Sequence, residues 1–127
     1  MTPAPRPVIL SVDDERRITD LISLQLGDAG FEVMTAANGR EALAAVRRRR
    51  PDLILMDLML PDIDGFGVCE ILHSCEPTAH IPVVMLTAWD SDEARALGQK
   101  VGTADYLSKP FKSKELIARV SQLVAAN

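Results

Sequence analysis

Apolar residues gather into five short runs along the chain, separated by longer stretches in which they recur every three or four positions. The first run is Val8-Ile9-Leu10-Ser11-Val12, and the third, Leu53-Ile54-Leu55-Met56, is uniformly apolar and stops at Asp57. The fourth, Val83-Val84-Met85-Leu86, ends at Thr87, and the fifth, Ala104-Asp105-Tyr106-Leu107, ends at Ser108-Lys109-Pro110. Apolar runs with little alternation suit strands covered on both faces, the situation of a parallel sheet. The second run, Phe31-Glu32-Val33-Met34-Thr35, alternates more and is placed nearer a sheet edge.

The intervening stretches read as helices. In the first, Ile18, Leu21, Ile22, Leu26 and Ala29 recur at helical spacing and Gly30 ends the pattern. Asn38 is placed as the N-cap of a second helix that turns Leu43 and Val46 inward and stops before Pro51. A third helix is expected over residues 66–74 and a fourth over 92–99, the latter with only Ala94, Leu97 and Val101 as apolar positions. The fifth is the clearest, with Leu116, Ile117, Val120, Leu123 and Val124 on one face. Strand and helix alternate five times, which predicts an α/β fold: a single (βα)₅ doubly wound, five-stranded parallel sheet with helices on both faces. No internal repeat, low-complexity segment or linker to a second domain interrupts this pattern.

Composition narrows the function classes. The chain has 127 residues, 47% of them hydrophobic and 25% charged, which is enough to bury the core of one domain and unlike a disordered segment. No apolar stretch approaches the roughly 20 residues needed to span a bilayer. Met1-Thr2-Pro3-Ala4-Pro5-Arg6-Pro7 carries three prolines and no apolar core, so residues 1–7 read as a flexible lead-in to a domain over 8–124, and the expected location is cytoplasmic. A net charge of −4 argues against nonspecific nucleic-acid binding by this domain. The block Arg47-Arg48-Arg49-Arg50 closes the second helix, where positive charge complements the helix dipole and faces solvent. Cys69 and Cys75 form no CxxC pair and read as reduced, at least partly core residues. His73 and His80 read as structural or surface residues.

Ligands in such folds bind beyond the carboxyl ends of the strands, so the residues that follow each strand carry the chemistry. Asp13 and Asp14 follow the first strand, Asp57 the third, Thr87 closes the fourth and Lys109 follows the fifth. Three carboxylates at one sheet edge repel, since unit charges about 4 Å apart interact by ~4 kcal/mol at an effective dielectric near 20. A divalent cation relieves that repulsion, and an all-oxygen donor set favours a hard ion, Mg²⁺ above all, with Mn²⁺ tolerated. An ammonium from Lys109 and a hydroxyl from Thr87 complete the parts of a phosphoryl-transfer site.

In order and spacing, four segments resemble the receiver domain of response regulators: Val12-Asp13-Asp14-Glu15, then residues 51–61 with Asp64-Gly65, residues 81–88, and residues 104–111. The resemblance spans about Val8 to Val124. It implies the strand order 2-1-3-4-5 and a phosphoacceptor domain of two-component signalling, a switch that catalyses its own phosphorylation and slow dephosphorylation rather than a conventional enzyme. Asp57 would take a phosphoryl group from a phosphohistidine on a sensor histidine kinase or a histidine phosphotransfer protein. Asp14 and Asp57 would bind Mg²⁺ directly, Asp13 mainly through water, and the Met59 backbone carbonyl would complete the protein ligands. Lys109 would pair with the phosphoryl oxygens and Thr87 would hydrogen bond one of them. Tyr106 would act as the aromatic switch that alters the face formed by the fourth helix, fifth strand and fifth helix, for a downstream effector or a second copy of the chain. The Lys109-Pro110 bond would be cis. The bulky Met59 and Trp89, two residues after the acceptor and the switch threonine, imply restricted water access and slow dephosphorylation.

Three rival readings stand beside this one. Asp62-Ile63-Asp64-Gly65 looks like the DxDG of haloacid-dehalogenase-type phosphatases, but that motif needs its first Asp at a strand end, where Pro61 stands before Asp62 and Asp57 already ends the strand. A flavodoxin-like cofactor protein would need a hydroxyl- and glycine-rich loop where this chain has Asp13-Asp14-Glu15. A receiver-like module working through contacts alone would not need all five site side chains. Both a single-domain regulator and a piece of a longer one with a DNA-binding, cyclase or kinase domain stay open.

Overall fold

The computed structural model of the chain describes residues 5–126, so residues 1–4 of the expected lead-in lie outside the described residues. The elements run β1 (Val8–Val12), α1 (Arg16–Asp28), β2 (Glu32–Ala36), α2 (Gly39–Arg48) and β3 (Leu53–Met56), then α3 (Gly65–His73), β4 (Val83–Thr87), α4 (Asp92–Val101), β5 (Asp105–Ser108) and α5 (Ser113–Ala125). All four strand pairings are parallel, in the order β2-β1-β3-β4-β5. The fold is the doubly wound α/β sheet that the periodicity predicts.

Because side chains alternate across a strand, each strand feeds both faces of the sheet. On one face, Leu10, Val12, Ile54, Met56, Val83 and Met85 pack against Ala42, Val46, Val68, Leu72 and Ala94 from α2, α3 and α4. On the other, Ile9, Leu53, Leu55, Val84, Leu86 and Leu107 meet Ile22 and Leu26 of α1 and Leu116 and Val120 of α5. Full burial of each such leucine or isoleucine contributes about 1.5–3 kcal/mol. The edge strand β2 is the exception, with only Ala36 fully buried, in keeping with its alternating sequence.

Several boundaries and faces differ from the sequence reading by small, explicable amounts. β2 starts one residue later than the apolar run because Phe31 still belongs to the end of α1. Gly30, at φ 100°, donates to the Gly27 carbonyl at 3.1 Å and Phe31 donates to that of Leu26 at 3.0 Å, the paired bonds of a Schellman stop. Leu21 is 43% exposed and Ala29 is exposed, whereas Thr19 takes a buried position on α1. On α4 the inward residues are Ala94 and Gly98, and Leu97 stands 45% exposed. A Cβ at Gly98 would lie 3.0 Å from Thr103 Oγ1 and 3.4 Å from Tyr106, so the helix approaches β5 too closely for a larger side chain there. Cys69 is buried, but Cys75 is exposed. His73 sits between α4 and the start of β4, with its ring nitrogens 3.1 Å from the Val101 carbonyl and 3.3 Å from that of Ile81. The Lys109-Pro110 peptide is cis.

Candidate functional site

Parallel strands in this order bring the carboxyl ends of β1, β3, β4 and β5 to one edge of the sheet, and their flanking hydrogen bonds carry the ladder one residue further. The Asp13 amide donates to the Ala36 carbonyl at 3.1 Å, the Asp57 amide to that of Val12 at 3.0 Å, and the Lys109 amide to that of Thr87 at 2.9 Å. Each of these three side chains is thus aimed by strand geometry. Asp13 and Asp57 are nearly buried, at 4% and 6% exposure, while Asp14 is exposed. One carboxylate oxygen from each of Asp13, Asp14 and Asp57 lies within 4.8 Å of the others.

Into this cluster reaches Lys109, with Nζ 2.5 Å from Asp13 Oδ2 and 3.2 Å from Asp57 Oδ2. Burial pushes the Asp13 carboxyl above its ordinary range and the Asp57 charge adds to that, against the pull of Lys109 and of the Glu15 amide. For Lys109, burial acts to lower the pKa, but hydrogen bonding to Asp13 and the charges of both aspartates outweigh it and hold the ammonium charged. One cation shared between two buried carboxylates leaves the site with surplus negative charge. The donor set is entirely carboxylate oxygen, with no thiolate or imidazole in the cluster, and so fits a hard divalent cation.

Thr87 is fully buried at the end of β4 and its Oγ1 accepts from the Trp89 amide at 3.3 Å. The Met59 amide donates to Asp57 Oδ1 at 3.3 Å, which places the Met59 peptide beside that carboxylate. Tyr106 does not join the acidic cluster. Its ring is buried and its hydroxyl donates to the Trp89 carbonyl at 2.5 Å. The Met59 and Trp89 side chains, 64% and 43% exposed, border an open hollow of about 530 Å³ together with Ala88.

The sequence reading did not foresee the polar cluster outside Tyr106. Arg95 lies over the Tyr106 ring at 5.0 Å from its centroid and donates to Asp90 at 2.5 and 3.2 Å, while the Ser108 hydroxyl donates to the same Asp90. No regular spacing marks these residues, because they come from a loop, a helix and a strand end. The Asp62-Ile63-Asp64-Gly65 segment resolves into two helix caps. Asp64 accepts from the Gly67 amide at 2.8 Å at the start of α3, and Asp62 accepts from the Gly39 and Arg40 amides at 2.8 and 2.9 Å at the start of α2. Desolvation pushes the Asp62 carboxyl up, but the amides of Arg40, Gly39 and Ile63 pull it down to about 2. Neither carboxylate belongs to the acidic cluster, so the geometry speaks against the phosphatase motif.

The family model described as the response regulator receiver domain matches residues 9–121. The chain is 46% identical over 118 residues to the "DNA-binding dual master transcriptional regulator RpaA" of Synechocystis sp., covering 93% of this chain and 49% of the relative. It is 42% identical over 122 residues to the "DNA-binding response regulator MtrA" of Mycobacterium tuberculosis, covering 96% and 52% respectively. The chain therefore spans about half the length of the curated relatives it matches. Among solved structures, the chemotaxis protein CheY4 of Vibrio cholerae superposes with a TM-score of 0.89 at 35% identity, over 94% of this chain and 99% of that one. Matching sequence, matching sheet order and an acidic cluster with its lysine at the strand ends agree: the chain belongs to the response regulator receiver domains, the phosphoacceptor switches of two-component signalling.

Proposed function

We propose that Asp57 is the phosphoacceptor and that Asp13, Asp14, Asp57 and the Met59 carbonyl hold Mg²⁺, with Mn²⁺ as a substitute. The observation that carries this reading is the meeting of three carboxylates and the Lys109 ammonium at one sheet edge, with Asp57 following the central strand β3. Bound there, the cation neutralises phosphoryl charge during transfer. An Asp57 oxygen attacks phosphorus in line, the P–N bond to the donor histidine breaks, and the imidazole leaves with its electron pair and takes a proton. Lys109 moves from carboxylate to phosphoryl oxygen, and Thr87 donates its hydroxyl to another. Moving a two-state population from 1:99 to 99:1 takes about 5.5 kcal/mol of differential interaction. Charge-assisted hydrogen bonds contribute roughly 1.5–3 kcal/mol each, so two or three new ones suffice.

Tyr106 transmits that change to the face made by α4, β5 and α5. The donor is a sensor histidine kinase or a histidine phosphotransfer protein, and the reader is a downstream effector or a second copy of the chain. Two curated relatives about twice as long are described as DNA-binding regulators, which supports a transcriptional effector; the cytoplasm is the proposed location. This domain itself makes no nucleic-acid or membrane contact in the proposal.

Incubation with acetyl phosphate and Mg²⁺, followed by intact mass, tests the assignment. Wild type should gain one phosphoryl group, and Asp57→Asn or added chelator should abolish the gain. An adduct that persists on Asp57→Asn would overturn the acceptor. The same assay, followed in time after donor removal, reads the lifetime. Replacing Met59 and Trp89 together by small polar residues should shorten it, and an unchanged lifetime would remove them from control of water access.

A further inference from the structure

We propose that Asp62 is a positioning residue for the phosphoacceptor site, a clamp that holds the segment bearing Met59 in register with the segment bracing Asp13. The inference rests on the Asp57 reading above. The first turn of α2 presents four backbone donors that the helix itself does not satisfy. The Ala42 amide donates to the Asn38 carbonyl at 3.0 Å and the Glu41 amide to the Asn38 side chain at 2.9 Å, both within the local chain. The remaining two, from Gly39 and Arg40, go to the two oxygens of Asp62, which lies more than twenty residues away in sequence. A helix start normally caps itself with its own N-cap residue. Here half of the cap comes from the loop that leads out of β3.

That loop carries the site. Its first residue is Asp57, whose carboxylate accepts from the Met59 amide, and it ends where Asp64 caps α3. The Leu60 and Gly65 amides both return to the Leu58 carbonyl, at 3.1 and 2.9 Å, so the loop folds tightly on itself. Beyond Asp57, Asp62 ties this loop to α2. On the other side of the tie, the chain entering α2 includes Ala36, whose carbonyl accepts the Asp13 amide at 3.1 Å. The two segments are also pressed together, since a Cβ on Gly39 would lie 3.1 Å from Ile63 Cβ and 3.2 Å from the Ile63 carbonyl oxygen. One bidentate carboxylate thus joins the two segments that flank the acidic cluster.

Asp62→Ala and Asn38→Ala separate positioning from simple helix stability, because both remove a cap from α2 and only the first frees the Met59 segment. Mg²⁺ titration of each, followed by the fluorescence of the single Trp89, reads affinity without any turnover. Asp62→Ala should weaken Mg²⁺ binding by about tenfold, the lower end for loss of a group that orients metal ligands. Phosphoryl uptake from acetyl phosphate should slow at low Mg²⁺ and recover as Mg²⁺ is raised. Asn38→Ala should lower the melting temperature while leaving Mg²⁺ affinity at the wild-type value. The isosteric Asp62→Asn, which keeps one acceptor, should fall between Asp62→Ala and wild type. Wild-type affinity in Asp62→Ala, or an equal loss in Asn38→Ala, would overturn the clamp while leaving the Asp57 assignment intact. Failure of the wild type itself to bind Mg²⁺ and gain a phosphoryl group would remove the reading on which it rests.

Discussion

Asp62 and Lys109 illustrate two opposite uses of charge within one site. Lys109 is nearly enclosed and lies between two buried carboxylates, so its ammonium offsets part of their charge and holds together groups that would otherwise repel. Asp62 is exposed and ionised against backbone amides, and its effect is on geometry rather than on charge balance. The folded chain holds its carboxyl at about 2 against an ordinary value of 3.8, so its contribution to stability is full above about pH 4 and lost as pH falls through about 2. The gap in melting temperature between wild type and Asp62→Asn should accordingly be open at neutral pH and close toward pH 2. Calorimetry across that range checks it, and a gap independent of pH would show that the carboxylate charge is not what caps α2. At this scale the sequence was readable wherever a residue sits directly after a strand. Asp13, Asp14, Asp57 and Lys109 could be read as neighbours, and Thr87 as the end of β4, because residues that close parallel strands share one edge of the sheet. The role of Asp62 was hidden, since its partners are backbone amides, which carry no residue identity. The Arg95–Asp90–Ser108 cluster was hidden too, because contacts among a loop, a helix and a strand leave no periodic trace.

Among the elements, the turn from β3 into α3 is the tightest point near the site. A Cβ on Gly65 would stand 2.5 Å from the Asp57 carbonyl oxygen and 3.0 Å from Leu58 Cα, both backbone atoms that cannot rotate away. Gly65→Ala should therefore destabilise the fold by about 1–3 kcal/mol or more, as overpacking does, and displace Asp57 at the same time. Urea unfolding of the variant checks the first effect and its phosphoryl uptake the second. Helices differ in how plainly they announce themselves. α5 was legible because five apolar residues share one face against a single core. α4 was not, since it packs through Ala94 and Gly98, small residues that a hydrophobic pattern undercounts, while its largest apolar residue, Leu97, faces outward. β2 was legible as an edge strand by its alternation, and its start was missed by one residue because Phe31 ends a helix stop before it begins a strand.

Taken whole, the molecule is two cores separated by one sheet. Leu26 belongs to the face covered by α1 and α5, and Ile81 to the face covered by α2, α3 and α4. Leu26→Ala should cost about 2–5 kcal/mol and Ile81→Val about 0.5–1.5 kcal/mol. With no shared partner, the double variant should equal their sum within ~0.5 kcal/mol, and a larger deviation in denaturant unfolding would mean that the sheet transmits packing strain between its faces. The topology was the most legible feature of all, because alternating strands and helices admit few right-handed arrangements. The order of the strands was carried by the resemblance alone. That order has a consequence for synthesis. The pairing of Lys109 with Asp13 spans 96 positions of sequence and its pairing with Asp57 spans 52, so an amino-terminal intermediate emerging during translation holds its aspartates without their counter-charge. Within this domain the counter-charge of the acidic cluster arrives only with β5, so the cluster is balanced only once that strand has docked beside β4.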